Sequence, residues 1–373
     1  MLIDHEKIVH FLLEHELITK SSIVSNDLIL ADASRRNYNI KILSHTGPCY
    51  FLKQETRDQV AGDPKFATVA YEAEIYLLLQ SLEGNQTLFQ YFPRYYGYDA
   101  VQHILILEGL FDSISLAEFQ FHKRRTDVRL GDKLGRALAT LHEGTAAIRT
   151  TIEKLPSIST VPPWVFFINQ PSHWIYLNSS AASLELVGIL QQSVELCERL
   201  EYIRHQWHAE TLIHGDFRWD NCMLLQRSSS RKPDRVKIID WELAQLGDPC
   251  WDVGVFFSEY LSVWLASIPF SQKMALDQSL NLARFPLSKM QPAIQAFWKA
   301  YVLSLKLDSI AVTNRLLRAT QYAGLRLVQT AYERLQNQSS ITPLDIYILQ
   351  LCVNLVTRPV EAVIHLLGLP WWE

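Results

Sequence analysis

A two-part α+β protein, β-rich first and helical afterwards, is what this sequence predicts, on three observations. Strand-like runs crowd residues 1–107, helical periodicity dominates from about residue 130 onward, and one loop-rich stretch, 213–252, gathers carboxylates, an asparagine and glycines. At 373 residues the chain exceeds what one small core organises, so two lobes are expected.

The elements follow in order. Residues 4–18 place Ile8, Phe11, Leu12 and Leu17 at helical spacing, which predicts an opening amphipathic helix. Two strand patterns, 27–33 and 38–44, flank the polar turn Ser34-Arg35-Arg36-Asn37, and a third, 49–54, follows the turn signal Thr46-Gly47-Pro48. A helical pattern over 66–82 and strands over 91–98 and 104–108 complete the first part. Glu108-Gly109-Leu110 falls where a connector belongs, giving a first lobe at 1–107, a hinge at 108–112 and a second lobe at 113–373. In that second lobe residues 130–147 form a helix with Leu134, Leu138 and Leu141 on one face, Gly135 allowing close packing and His142 in a structural role. Short β-rich runs, 222–226 and 236–239, interrupt an otherwise helical remainder.

Composition removes several function classes. Hydrophobic residues make up 48% and charged residues 20%, as in an ordinary folded enzyme. With a net charge of −4 and no basic block beyond Lys123-Arg124-Arg125, which reads as a solvated loop, nucleic acid is not an expected partner. Five cysteines without CxxC spacing argue against a secreted disulfide framework. Asp4, Glu6 and Lys7 interrupt any apolar leader, and no apolar run is long enough to span a bilayer, so no membrane partner and a cytoplasmic location are expected.

The chemistry concentrates in Ile213-His214-Gly215-Asp216-Phe217-Arg218-Trp219-Asp220-Asn221, then Asp240-Trp241-Glu242, then Gly247-Asp248-Pro249-Cys250-Trp251-Asp252. Phosphoryl transfer needs a carboxylate facing the acceptor hydroxyl and oxygen ligands that hold a metal ion against the phosphates. Asp216 follows an apolar strand on a loop, where it can take a proton. Asn221 stands five residues on, and Asp240 ends an apolar strand that would hold its carboxylate rigidly. Arg218, two residues after Asp216, is a candidate for offsetting charge in the transition state, against the alternatives of facing solvent or pairing with Asp220. Glu242 either reaches the metal through water or pairs with a cation.

In order and spacing these three pieces resemble the signature of the aminoglycoside phosphotransferase and choline kinase family of kinase-like enzymes. The resemblance covers roughly residues 20–260. It implies a two-lobed protein-kinase-like fold, ATP as donor with GTP possible, and Mg2+. It also implies Asp216 as catalytic base, Asn221 and Asp240 as metal ligands, His214 as support of the loop, and Asp252 as the residue that fixes the loop's shape. In such a fold a lysine on the third strand grips phosphates and is oriented by a glutamate of the next helix. Lys53 takes that place here, with Glu72 as its partner and Glu74 as the alternative. The turn at 34–37 lacks glycine, so Ser34, Arg35 or Asn37 would give side-chain bonds to phosphate instead. Glu108 and Leu110 would meet the adenine.

The expected reaction is phosphorylation of a small-molecule hydroxyl. A peptide hydroxyl as acceptor and a non-catalytic nucleotide-binding module are the alternatives, and the second has no need of Lys53, Asp216, Asn221 and Asp240 together. Residues 253–373 carry 10 Lys plus Arg against 7 Asp plus Glu, which argues against a polycationic acceptor. Within that stretch Arg315, Arg318 and Arg326 read as a solvated helix face, with contact to an anionic substrate as the alternative. Trp164, Phe166, Phe167, Trp174 and Tyr176 read as packing between helices, with lining of an acceptor pocket as the alternative. His205, His208 and His214 lack a fourth ligand for zinc.

Overall fold

The computed structural model describes residues 5–25, 27–34, 37–55, 68–82, 86–123, 126–225, 235–269 and 276–370. Its strands, in chain order, are β1 Leu28–Asp32, β2 Tyr38–Ser44, β3 Tyr50–Gln54, β4 Tyr95–Asp99, β5 Ile104–Glu108, β6 Ser113–Ser115, β7 Thr211–Ile213, β8 Cys222–Leu225, β9 Arg235–Ile238 and β10 Gln245–Gly247. Helices of ten residues or more are α1 His5–Glu14, α2 Thr68–Gln80, α3 Val128–Ala146, α4 Ala181–Gln191, α5 Val194–His205, α6 Cys250–Ala266, α7 Leu287–Ser304, α8 Ser309–Leu335 and α9 Pro343–Thr357. The chain forms two compact units, Met1–Leu116 with Asn221–Ala244, and Ala117–Asp220 with Gln245–Glu373. Residues 221–244, which the sequence reading placed in the second lobe, thus cluster with the first unit.

The first unit is built on an antiparallel sheet of order β1-β2-β3-β5-β4. Alternation along the strands sends Ile40, Ile42, Tyr50, Leu52, Ile104 and Ile106 into one cluster with Ile8, Phe11 and Leu12 of α1. Lys53, one residue beyond Leu52, therefore belongs to the other face, and pairs across the ladders with Asn39 and Leu105. α2 buries Val69, Glu72, Ala73, Ile75, Tyr76, Leu78 and Leu79. A second small sheet, β6-β8-β9, completes the unit. β2 and β5 match the expected bounds to the residue, whereas the strand expected at 91–98 begins only at Tyr95. Pro93 explains the delay, since proline cannot donate to a ladder.

Among its described residues the second unit is helical apart from the antiparallel pair β7 and β10. α3 lies along α7, and α8 packs between α6 and α9. Gly131 and Gly135 make the α3–α7 approach possible: an added Cβ would stand 2.3 Å from the carbonyl oxygens of Ala293 and Phe297 respectively. Gly135→Ala would ordinarily gain helix propensity. Here backbone must retreat, so a loss of about 1–3 kcal/mol is expected, read as a lower urea midpoint at unchanged slope.

No single helix among the described residues is long and apolar enough to cross a membrane.

Candidate active site

The first unit holds one buried ammonium among three carboxylates. Lys53 Nζ donates to Glu72 Oε2 at 2.7 Å, Asp240 Oδ1 at 2.8 Å and Glu242 Oε2 at 3.3 Å. Lys53 is 7% exposed and Glu72 1%. Burial alone would lower the lysine's pKa, but Glu72, Asp240 and Glu242 outweigh it and hold the ammonium above its ordinary value. Glu72 is pushed up to about 7 by burial, against the pull of Lys53. Its other oxygen accepts the Trp241 N–H at 3.1 Å, which ties α2 to the segment carrying Asp240. Of the two carboxylates considered for Lys53, Glu72 is the partner. Glu242 pairs with the cation.

Asp240 follows β9 with φ 66°, in the left-handed region. Aspartate tolerates that conformation better than most residues. Its side chain stays 39% exposed although Oδ1 meets Lys53. Asn221 ends the 3-10 turn Trp219–Asn221, is 6% exposed, and accepts the Ile239 N–H on its carbonyl at 3.0 Å. Three carboxylates around one ammonium leave surplus negative charge, and the donors are all hard oxygens. That chemistry fits a divalent cation such as Mg2+, which takes few protein ligands and completes its shell with phosphate and water. Among the described residues no group of three His, Cys, Asp or Glu side chains is arranged as a metal cage.

The other residues expected around a nucleotide also lie in the first unit. Ser34 Oγ accepts the Asn39 N–H at 3.2 Å, while the Ser34 N–H donates to Asp32 at 2.8 Å. Arg35 lies outside the described residues. Asn37 is 4% exposed, and its Oδ1 has no hydrogen-bond partner. The Glu108 carboxylate accepts the Arg94 N–H at 2.9 Å and Lys237 Nζ at 2.8 Å. Its own N–H goes to the Arg94 carbonyl at 2.8 Å. The Leu110 carbonyl accepts the Ser113 hydroxyl.

The second unit carries the loop with Asp216, and Asp252 at the start of α6 shapes it. Wholly buried, Asp252 accepts the His214 N–H on Oδ2 at 2.7 Å and the Gly215 N–H on Oδ1 at 3.0 Å. His142 Nε2 lies 3.2 Å from the same Oδ2, with its Nδ1 2.9 Å from the Tyr301 hydroxyl. Gly215 has φ 80°, a turn that a side chain would oppose, and its carbonyl accepts Trp251 Nε1 at 2.8 Å. His214 Nδ1 accepts the Asp216 N–H at 3.2 Å.

Both oxygens of Asp216 meet arginines. Arg218 Nε donates to Oδ2 at 2.9 Å, and Arg326 Nη2 to Oδ1 at 2.9 Å. Burial would raise this carboxyl's pKa, but Arg326, Arg218 and His214 prevail and bring it below the ordinary value. The site therefore keeps Asp216 ionised. Arg218 neither faces solvent alone nor selects Asp220.

The solvated arginine face expected on α8 is corrected. Arg326 is 2% exposed, and the side chains of Arg318 and Arg315 are 12% and 20% exposed. Burial is tolerable because each meets a carboxylate. Arg318 pairs with Asp248 at 3.0 Å and Arg315 with Glu210 at 2.9 Å. Glu259 of α6 escaped the sequence reading altogether. It accepts the Trp219 N–H at 3.0 Å, and burial raises its pKa. The aromatic group divides: Phe166 packs on Trp207, Trp251 and Tyr322, whereas Trp174 and Tyr176 are exposed.

Comparison with known proteins places these features among relatives. A family model described as "Phosphotransferase enzyme family" matches residues 28–279. Acyl-CoA dehydrogenase family member 10 of Mus musculus is 28% identical over 124 residues, which is 33% of this chain and 10% of that protein. The chain thus spans about a tenth of the length of that curated relative. Among solved structures, the choline kinase of Cryptosporidium parvum Iowa II superposes with TM-score 0.55 at 12% identity, covering 98% of this chain and 99% of that one. Amicoumacin kinase in complex with AMP-PNP, Ca2+ and Ami gives TM-score 0.53 at 12% identity, covering 95% and 96%. These likenesses are to a protein-kinase-like fold.

Proposed function

Because this chain belongs to the phosphotransferase enzyme family, we propose that it moves the γ-phosphoryl group of ATP, with magnesium, onto a hydroxyl of a small molecule. The observation that carries this reading is an ionised Asp216 on a loop pinned by Asp252, in a chain that also keeps Lys53 charged through Glu72 and Asp240. AMP-PNP and Ca2+ with amicoumacin kinase support nucleotide and divalent metal as the class of cofactor.

In the proposed reaction the acceptor's hydroxyl proton passes to a carboxylate oxygen of Asp216. The freed oxygen forms the bond to the γ-phosphorus as the bond to the β,γ-bridging oxygen breaks, and that electron pair leaves with the nucleoside diphosphate. Lys53 would balance phosphate charge, and Arg218, whose guanidinium remains partly exposed, would offset charge in the transition state. Asn221 and Asp240 would hold magnesium, which supplies charge neutralisation at the phosphates when bound. His214 and Asp252 act by holding the loop. GTP enters as the alternative donor. All five cysteines are free, which supports a reducing, cytoplasmic setting. Since Arg315, Arg318 and Arg326 are engaged in internal pairs, the basic excess of 253–373 does not select the acceptor's charge, and the acceptor is proposed on its hydroxyl alone.

The test is incubation with magnesium-ATP and a fractionated metabolite extract, followed by mass spectrometry. A product heavier by one phosphoryl group is expected, falling by about 100-fold or more in Asp216→Ala. Undiminished product from the alanine variant would remove Asp216 from its role.

A further inference from the structure

Arg326 reaches Asp216 from far along the chain. It belongs to α8, inside the run Tyr322-Ala323-Gly324-Leu325-Arg326-Leu327-Val328, every member of which is buried. A helix that only closed a core would carry an apolar residue there, because burying a guanidinium costs several kcal/mol unless its partners are excellent. Its partners are unequal. Nη2 lies 2.9 Å from Asp216 Oδ1, Nη1 lies 3.4 Å from Glu333 Oε1, and Glu333 is 47% exposed and also takes a bond from Gln329. Nε has no partner at all. An arginine kept for stability would be expected to spend its donors more fully. The one short, buried contact is with the carboxylate proposed to take the proton.

Arg218 meets the opposite oxygen, Oδ2, but comes from the same loop and moves with it. Arg326 is anchored on a 27-residue helix and is the fixed reference. His214 of the loop, Glu259 of α6 and Glu333 of α8 are the other titratable groups around this pair. Two cations on two oxygens fix the carboxylate's rotation. We propose that Arg326 is the positioning residue of Asp216, setting the orientation in which its carboxylate receives the acceptor's proton. This rests on the reading of Asp216 as the base.

The test measures magnesium-ATP turnover with water as acceptor for the full chain and for Arg326→Gln, Arg326→Lys, Asp216→Asn and the double variant Asp216→Asn/Arg326→Gln. Arg326→Gln is expected to lower kcat about 30-fold with KM for ATP within twofold of the parent, consistent with a group that affects only the reacting geometry. Arg326→Lys, which restores a charge but not the fork, should recover part of the loss. In the Asp216→Asn background Arg326→Gln should change kcat no further. Full turnover in a folded Arg326→Gln, or a loss that repeats in the Asn background, overturns the proposal. If Arg326→Gln does not fold, Arg326→Lys decides: a reduced kcat at unchanged KM supports the role, and parental kcat removes it. Parental turnover in Asp216→Asn would instead bring down the base itself.

Discussion

Lys53→Met is expected to destabilise the protein by about 3–5 kcal/mol, the scale of leaving buried charge without its partner. Three carboxylates then face one another with no cation, and Glu72 at 1% exposure has no route to water. The effect carries a pH signature. Glu72 is already pushed up to about 7 by burial, and without the ammonium it goes higher. A carboxyl whose folded pKa lies above its unfolded value favours the folded state at low pH and withdraws that favour as pH rises toward the folded value. The variant should therefore recover stability on going from pH 8 to pH 5.5, relative to the parent. Adding Glu72→Gln should restore part of the loss at neutral pH. Urea midpoints at both pH values measure this, and a variant as stable as the parent at pH 8 would refute it. KM for ATP should rise at least tenfold in the same variant, if Lys53 meets phosphate as proposed.

Asp252→Ala is expected to act twice. It orphans the buried N–H of His214 and the half-buried N–H of Gly215, and removes the partner of His142 Nε2. At about 1–3 kcal/mol for each unsatisfied buried donor, the loss of stability should reach about 3–5 kcal/mol. Turnover should also fall, by about 100-fold, because the turn at Gly215 that aims Asp216 loses its anchor, and small displacements of a reacting group are costly. Circular dichroism melts and steady-state rates with magnesium-ATP, taken well below the variant's melting temperature, separate the two effects. A folded Asp252→Ala with parental kcat would leave Asp252 as a helix-start residue only.

Much of this arrangement could be read in one dimension because its determinants are local. The spacing from His214 to Asn221 and from Asp240 to Glu242 spans a few residues, and each stretch adjoins an apolar strand that announces itself. Lys53 was legible for a similar reason: a charged residue at the end of an apolar run demands a partner, and the next helix offered Glu72 and Glu74. What escaped was non-local. Arg326 stands 110 residues from Asp216, and a count of charges treats any helical arginine as solvated until its carboxylate is known. Glu259 gives no periodic signal inside α6, whose buried residues surround it. β6, β7 and β10, at three residues each, are too short for alternation to show.

The φ of 66° at Asp240 bears on how any cation would be received. The backbone, fixed by Trp241 on Glu72 and by β9, rather than the incoming ion, sets the direction of that carboxylate. If Asp240 serves as the proposed ligand, it would need no new chain conformation to receive a metal ion. Asparagine, which also tolerates the left-handed region, is accordingly the replacement that reports on the carboxylate alone, whereas a β-branched residue would report on a broken turn.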